Sequence, residues 1–244
     1  MTVKGVVFDL GSTLMYFHGD WEVAHVRNLA NLLAFLHQQG LDLEEDRFLR
    51  TYNRQKEKAW ETARATWVEY PEERSLAETL VELGYPGLNG HLLADGVRAL
   101  FRYEEACWTA FPDALPTLQT LQDAGYRLGL ISNASDDALI QRLTRRLGLT
   151  PYLHPALNSA GVGIRKPDTR VFQMVLEEWR LGPDEVVMVG DTLEADIQGA
   201  RLAGMRGVLA LMDENPENEE FCHSIIPDAA IQHLAELPPL LATW

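Results

Sequence analysis

Three short apolar runs, each ending at a polar residue, limit what this chain can fold into more than any other feature. Val6-Val7-Phe8 runs into Asp9, Leu130-Ile131 into Ser132-Asn133, and Val187-Met188-Val189 into Gly190-Asp191. Runs this short and rich in Val and Ile suit strands buried on both faces, as in a parallel sheet. Helical periodicity fills the intervals after residue 112. Strand–helix alternation implies a parallel sheet with helices on both faces, a Rossmann-like α/β core. Open sheets of this kind bind ligands at the carboxyl ends of their strands, near the point where strand order reverses. Asp9, Ser132 and Asp191 are therefore predicted to converge on one edge.

Asp113 is expected to cap a helix carrying Leu115, Leu118 and Leu121, closed by Gly125. A strand is expected over 126–131, a helix opening at Ser135, and a short strand within 152–157. Asp168 should cap a helix with Val171, Phe172, Val175 and Trp179 inward. Strands over 186–189 and 207–211 flank a helix through Ile197 and Ala200 to Gly204. Residues 213–220 read as a polar loop and 228–241 as a final helix. Gly161-Val162-Gly163 lacks the spacing of a dinucleotide-binding loop and reads as a turn.

Between residues 20 and 108 the pattern is helical throughout, with no strand. Asp20 is a plausible N-cap, Val23, Val26, Leu29, Ala30, Leu33 and Leu36 fall on one face, and Gly40 is the stop. Further helices are expected near 44–66, 73–83 and 92–108. The expected organisation is a core of residues 1–16 and 112–244, with an all-helical cap of residues 17–111 inserted after the first strand.

The 244 residues carry a net charge of -15. Such a surface repels nucleic acid and anionic lipid, so neither is an expected partner. No apolar run approaches the length needed to cross a bilayer. The first residues lead straight into a strand, without the basic start and long apolar stretch of a secretory signal. Cys107 and Cys222 lie far apart without metal-ligand spacing. A cytoplasmic monomer or homodimer is the expectation. A phosphate-binding pocket in so acidic a chain needs local positive charge. Lys166, one of four lysines, and a bound cation can supply it.

Two carboxylates on adjacent strand ends repel unless a cation or proton lies between them. With oxygen ligands only, Mg²⁺ is the natural cation. Asp9 can then attack phosphorus and form an aspartyl-phosphate. The cation and Lys166 offset charge on the transferring group, and Ser132 with nearby backbone N–H groups can hold its other oxygens.

The same residues carry a family resemblance. Phe8-Asp9-Leu10-Gly11-Ser12-Thr13-Leu14, Leu130-Ile131-Ser132-Asn133, Gly163-Ile164-Arg165-Lys166-Pro167-Asp168 and Val189-Gly190-Asp191-Thr192-Leu193-Glu194-Ala195-Asp196 resemble the four motifs of the haloacid dehalogenase superfamily, in the family's order. The helical insert resembles its C1-type cap. The resemblance implies Asp9 as nucleophile and metal ligand, with the Gly11 carbonyl, Asp191 and Asp196 as further Mg²⁺ ligands, Asp196 directly or through water. It implies Ser132, with Asn133 beside it, on the phosphate of a small phosphorylated substrate. It makes Lys166 the residue that steadies Asp9 and that phosphate, and it gives the cap the choice of leaving group.

One position departs from the pattern. Most family phosphatases carry a second Asp two residues after the nucleophile, as general acid and base; here it is Gly11, and the family's usual Gly is Ser12. Losing a general acid costs about 10²–10⁴-fold in rate, least for esters with good leaving groups. Acyl, aryl or anomeric sugar phosphates are thus expected to outrun simple alkyl phosphates. His18 is a candidate substitute base, against the simpler reading of a solvated linker histidine. Tyr52, Trp60, Trp67 and Trp108 could line a pocket, although aromatics at helical spacing more often belong to a core. Two other readings stand beside the phosphatase: a 2-haloacid dehalogenase, which needs no metal, and a catalytically weakened binding protein.

Overall fold

The computed structural model describes residues 2–244. The chain runs through β1 (Gly5–Phe8), β2 (Met15–Phe17), α1 (Trp21–Gln38), α2 (Glu45–Thr66), α3 (Glu72–Glu82), α4 (Gly90–Leu100), α5 (Arg102–Cys107), β3 (Trp108–Ala110) and α6 (Ala114–Asp123). It continues through β4 (Arg127–Ser132), α7 (Asp137–Arg146), β5 (Ala156–Asn158), α8 (Ser159–Val162), α9 (Thr169–Trp179), β6 (Val186–Gly190), α10 (Gly199–Leu202), β7 (Arg206–Ala210), β8 (Ala229–Ile231) and α11 (Leu237–Leu241).

Six strands make one sheet in the order β5-β4-β1-β6-β7-β8, every neighbouring pair parallel. Strand order reverses at β1: the chain builds outward through β4 and β5, then returns to the other side of β1 with β6. Phe8 pairs in register with Leu130 of β4 and Val189 of β6. The residues that follow these three strands therefore emerge together, as the sequence predicts.

The central strands are buried because helices cover both faces. Val6, Phe8, Leu130, Val187 and Val189 pack with Leu118 and Leu121 of α6 and Leu143 of α7. Val7, Ile131, Val186 and Met188 turn the other way, onto Phe172, Val175 and Trp179 of α9. Neighbouring residues fall into opposite layers, which is the two-residue period of a strand. Asp168 caps α9 as expected, accepting from Arg170 N at 2.9 Å.

The helical insert has its own core. Leu29, Leu32 and Leu36 of α1 meet Phe48 and Tyr52 of α2, Leu76 and Leu80 of α3, and Val97 and Leu100 of α4. An antiparallel ribbon joins insert to sheet, pairing Met15 with Ala110 and Phe17 with Trp108. The sequence reading expected no strand here; three residues per strand leave too few positions for alternation to show.

Several local expectations need correction. Leu29, Leu33 and Leu36 face inward as expected, but Val23, Val26 and Ala30 are exposed, and Ala24, Asn28 and Leu32 complete the buried face. Leu29, Leu32, Leu33 and Leu36 pack into the insert's core, and Asn28 is accommodated on that face by donating its Nδ2 to Glu104 Oε2 at 3.0 Å. The helix expected over 92–108 divides at Phe101 into α4 and α5 and ends in β3. Asp136, not Ser135, caps α7, accepting from Ala138 N and Leu139 N. Asp113 gives α6 no side-chain cap; it accepts from Ala235 N at 3.2 Å. The strand expected within 152–157 starts only after Pro155, which has no N–H for a ladder. The expected final helix is β8, a 3-10 turn and a five-residue α11; Pro238 and Pro239 remove two helical donors. The polar segment 213–220 contains a 3-10 turn, Pro216–Glu220.

Candidate active site at the carboxyl ends of the strands

Asp9 leaves β1 and Asp191 leaves β6, side by side at the sheet edge. Asp196 joins them from the next turn, where Asp196 N and Ile197 N both bond the Thr192 carbonyl, at 2.9 and 3.3 Å. That wider π-helical turn, Leu193–Gln198, is a rare form that is frequent at functional sites. Gly190 makes room for it: a Cβ there would lie 2.3 Å from Asp196 Cγ. The three carboxylates are buried, and each offers an oxygen within 4.8 Å of the others.

One cation sits among them. Lys166 Nζ donates to Asp9 Oδ1 at 2.6 Å, to Asp196 Oδ1 at 2.6 Å and to the Ile131 carbonyl at 2.7 Å. All three of its N–H groups are thereby spent. It steadies Asp9 as expected, but a bond to phosphate requires giving up one of these. Asp196 Oδ2 also accepts from Thr192 N at 3.0 Å, so both of its oxygens are engaged within the protein.

Three buried carboxylates against one ammonium leave excess negative charge. Burial, reinforced by Asp196 and opposed by Lys166, pushes Asp9 up to about 6. Burial, then the charges of Asp9 and Asp196, pushes Asp191 up to about 8. Burial alone would lower Lys166, yet Asp196 and Asp9 outweigh it and raise it above its ordinary value. A cluster with this charge balance favours a further positive charge, as protons or as a cation. The donor set is all oxygen, which fits a hard divalent ion.

The sequence reading missed what holds Asp191. Asn215 Nδ2 donates to its Oδ2 at 2.6 Å and Asn218 Nδ2 to its carbonyl at 2.7 Å. Thr13 Oγ1 approaches Oδ1 at 3.4 Å. The segment read as a solvated loop is thus a wall of the site. Only the paired asparagines in so acidic a stretch hinted at it.

Ser132 is buried at the end of β4 and lines the same cavity as Asp9, Gly11, Lys166, Asp191 and Asp196. Among the described residues its hydroxyl has no partner within the protein, which leaves it for a ligand. Asn133 also lines the cavity, but both ends of its amide are committed. Nδ2 donates to Lys166 O at 3.0 Å, and Oδ1 accepts from Lys166 N at 2.8 Å. Its geometry is that of a residue positioning the Lys166 loop.

Gly11 opens a space that Trp108 fills. The indole edge of Trp108 lies 3.5 Å from where a Cβ on Gly11 would stand. Ser12 takes a left-handed backbone, φ 53°, and its hydroxyl donates to Asp213 Oδ2 at 3.0 Å. Few residues except glycine favour that conformation.

The cavity of about 740 Å³ extends from Asp9 to the insert, where Trp21, Phe101, Glu104 and Trp108 meet Leu139, Ile140 and Leu143 of α7. His18 is exposed and is not among the lining residues. Tyr52 is core, its hydroxyl bonded to buried Glu72. Trp60 and Trp67 are exposed and border an adjoining hollow beside Arg165 and Pro167, which shares Lys166 and Asn133 with the cavity. Of the four aromatics considered, Trp108 alone lines the cavity with Asp9.

The insert also touches the sheet edge through segment 67–72. Val68 bridges Ile164, and Glu69 N donates to Gly163 O at 3.1 Å. Glu69 Oε2 accepts from Ser159 Oγ at 2.5 Å. Glu72 Oε2 accepts from Ser135 Oγ at 3.1 Å and also pairs with Lys56.

Comparison with known proteins agrees with this geometry. A family model described as haloacid dehalogenase-like hydrolase matches residues 3–204. A phosphoserine phosphatase of Thermus thermophilus is 34% identical over 175 residues, 72% of this chain and 67% of that protein. A glyceraldehyde 3-phosphate phosphatase of Methanopyrus kandleri is 31% identical over 146 residues, 60% of this chain and 62% of that protein. The chain thus spans about two thirds of the length of these relatives. Among solved structures, a 2-haloacid dehalogenase from Pseudomonas syringae superposes with a TM-score of 0.73 at 28% identity, covering 100% of both chains.

Proposed function

The chain belongs to the haloacid dehalogenase-like hydrolase family, and we propose that within it the protein is a Mg²⁺-dependent phosphomonoester hydrolase of a small metabolite, with Asp9 as nucleophile. The observation that carries this reading is the excess of buried carboxylate, three acids around one lysine. Carbon-centred displacement by Asp9 alone gives no use for Asp191.

Asp9, Asp191 and the Gly11 carbonyl would hold the ion, with Asp196 directly or through water. Bound there, Mg²⁺ supplies charge neutralisation at the phosphoryl oxygens. Lys166 fixes Asp9 Oδ1 and so presents Oδ2 to phosphorus. A bond forms from Asp9 to phosphorus while the ester P–O bond breaks, and the leaving oxygen takes the electron pair. Ser132 donates its hydroxyl to a phosphoryl oxygen. Water then cleaves the aspartyl-phosphate, releasing phosphate and restoring the carboxylate. Gly11 supplies no proton to the leaving oxygen, so acyl and aryl phosphates are turned over faster than alkyl phosphates.

The structural similarity to a 2-haloacid dehalogenase over the whole chain supports a second reading. One experiment separates the two: release of phosphate from 4-nitrophenyl phosphate with Mg²⁺ or with EDTA, in the wild type and Asp9→Asn, beside halide release from 2-chloropropionate. Mg²⁺-dependent phosphate release that Asp9→Asn abolishes is expected. Metal-independent halide release would replace this reading with the dehalogenase. Silence on both substrates would leave the weakened binding protein.

A further inference from the structure

Resting on the phosphatase reading, we infer that the ester this site takes has an apolar or aromatic leaving group without negative charge, and that Glu104 favours one carrying an ammonium. The argument starts from what lines the leaving-group end of the cavity. Trp21, Phe101 and Trp108 come from the insert, Leu139 and Ile140 from α7. Trp21 and Trp108 meet edge to face at 5.7 Å, and Phe17 stacks behind Trp21 at 3.7 Å. The Trp108 ring reaches as far as Gly11, so atoms of the leaving group next to phosphorus already meet indole.

The charged lining is one-sided. Beyond the catalytic cluster it consists of Glu104, Asp136, Glu214 and Glu217. Among the described residues Lys166 is the single basic residue lining the cavity, and its three donors are spent on Asp9, Asp196 and Ile131. Arg64 and Arg165 line the adjoining hollow with Trp60 and Trp67, not the end formed by Trp21 and Trp108. A carboxylate or second phosphate on the substrate would enter this space without a counter-charge, at a cost that grows with desolvation. An ammonium finds the opposite: aromatic faces and a carboxylate beside them, a combination that attracts cations. Glu104 is set for that contact. Asn28 Nδ2 holds its Oε2 at 3.0 Å, and Asn28 Oδ1 accepts its backbone N–H at 3.3 Å.

Phenyl phosphates that differ only at the para position test this. The substituents are aminomethyl, methyl and carboxylate, assayed with Mg²⁺ for kcat/KM. The expected order is aminomethyl, then methyl, then carboxylate, with the ends about thirtyfold apart. Against the methyl ester, intrinsic reactivity runs the other way for the carboxylate, whose electron withdrawal makes the better leaving group. The ammonium also withdraws electrons, so its part is read from the change in Glu104→Gln at a constant leaving group. Glu104→Gln should bring the aminomethyl-to-methyl ratio towards one. A carboxylate ester that equals or beats the methyl ester overturns the inference, and an unchanged ratio in Glu104→Gln overturns the part given to Glu104.

Binding of the same three esters to Asp9→Asn, followed by tryptophan fluorescence, separates this inference from the reading beneath it. No turnover of any ester by the wild type, with the binding order intact, removes the phosphatase and keeps the pocket chemistry. Turnover with the binding order lost does the reverse.

Discussion

At the sheet edge, Lys166 places all three N–H groups of its ammonium on Asp9, Asp196 and a backbone carbonyl, and Asp191 is held by asparagines on two sides. At the other end of the same cavity the walls are rings and aliphatic side chains, with Glu104 tied to Asn28. The first end is polar and bonded atom by atom; the second is shaped mainly by packing. The difference divides labour along the chain. Reacting groups come from strand ends, where the parallel sheet fixes their spacing. The surface that meets the leaving group comes from the insert and α7, whose side chains can change without disturbing that spacing.

The largest effect should come from the polar end. Asp9→Asn is expected to lower phosphate release by about 10³-fold or more for every ester, since it removes the nucleophile from a unit that acts together. Single-turnover assays across several esters check this, and a loss that depends on the leaving group would blur the division. Next comes the contact between the two parts. Glu72→Ala strips Ser135 of the core, and buried Tyr52 and partly exposed Lys56 of the insert, of their shared partner and should cost about 2–4 kcal/mol of stability, read as a lower urea midpoint. A midpoint within error of the wild type would show that this junction contributes nothing.

The apolar end should respond more gently and more selectively. Trp21→Ala, at an exposed position, is expected to lower kcat/KM for aryl phosphates by about tenfold, while acetyl phosphate, too small to reach it, is spared. Equal losses for both would place Trp21 in the chemistry instead.

A pH effect tests the polar end without substrate. Asp191 and Asp9 lie above their unfolded values, so between about pH 4 and 8 the folded protein holds more protons than the unfolded chain. Stability of the EDTA-treated protein should therefore fall as pH rises through that window. From pH 6 to 8 the drop should amount to about 2–3 kcal/mol, most of it from Asp191. Mg²⁺ or Asp191→Asn should flatten it, as thermal melts in each condition would reveal; a flat profile in EDTA would remove the charge argument for a cation. Smallest of all, Ser12→Gly relieves a left-handed backbone but gives up the bond to Asp213. It should shift stability by less than about 1 kcal/mol.

How much of this was legible follows the same division. Val6, Val7 and Phe8 announce a buried strand through their own residue types, and the parallel sheet then places Asp9 beside Asp191 with no further information. The insert offers helices but not faces. Val23 and Val26 satisfy the helical period as well as Ala24 and Asn28 do. The choice between them rests on long-range partners: the core that the leucines of α1 enter, and Glu104, seventy-six positions along the chain from the Asn28 it bonds. Asn215 and Asn218 were invisible for a related reason: among acidic neighbours they look solvated until the fold brings Asp191 to them. Glu104 itself was passed over, because a glutamate on a helix says nothing about the cavity it faces.

The bonds of Glu69 and Glu72 to Ser159 and Ser135 bear on how material enters and leaves. The two-stranded ribbon already tethers the insert to the sheet, and these bonds fasten it at a second place. A lid on two fastenings cannot swing freely about one hinge. Widening the entrance by moving the insert means unbuttoning the second one first, and one of its hydroxyls, that of Ser135, belongs to a residue that itself lines the cavity.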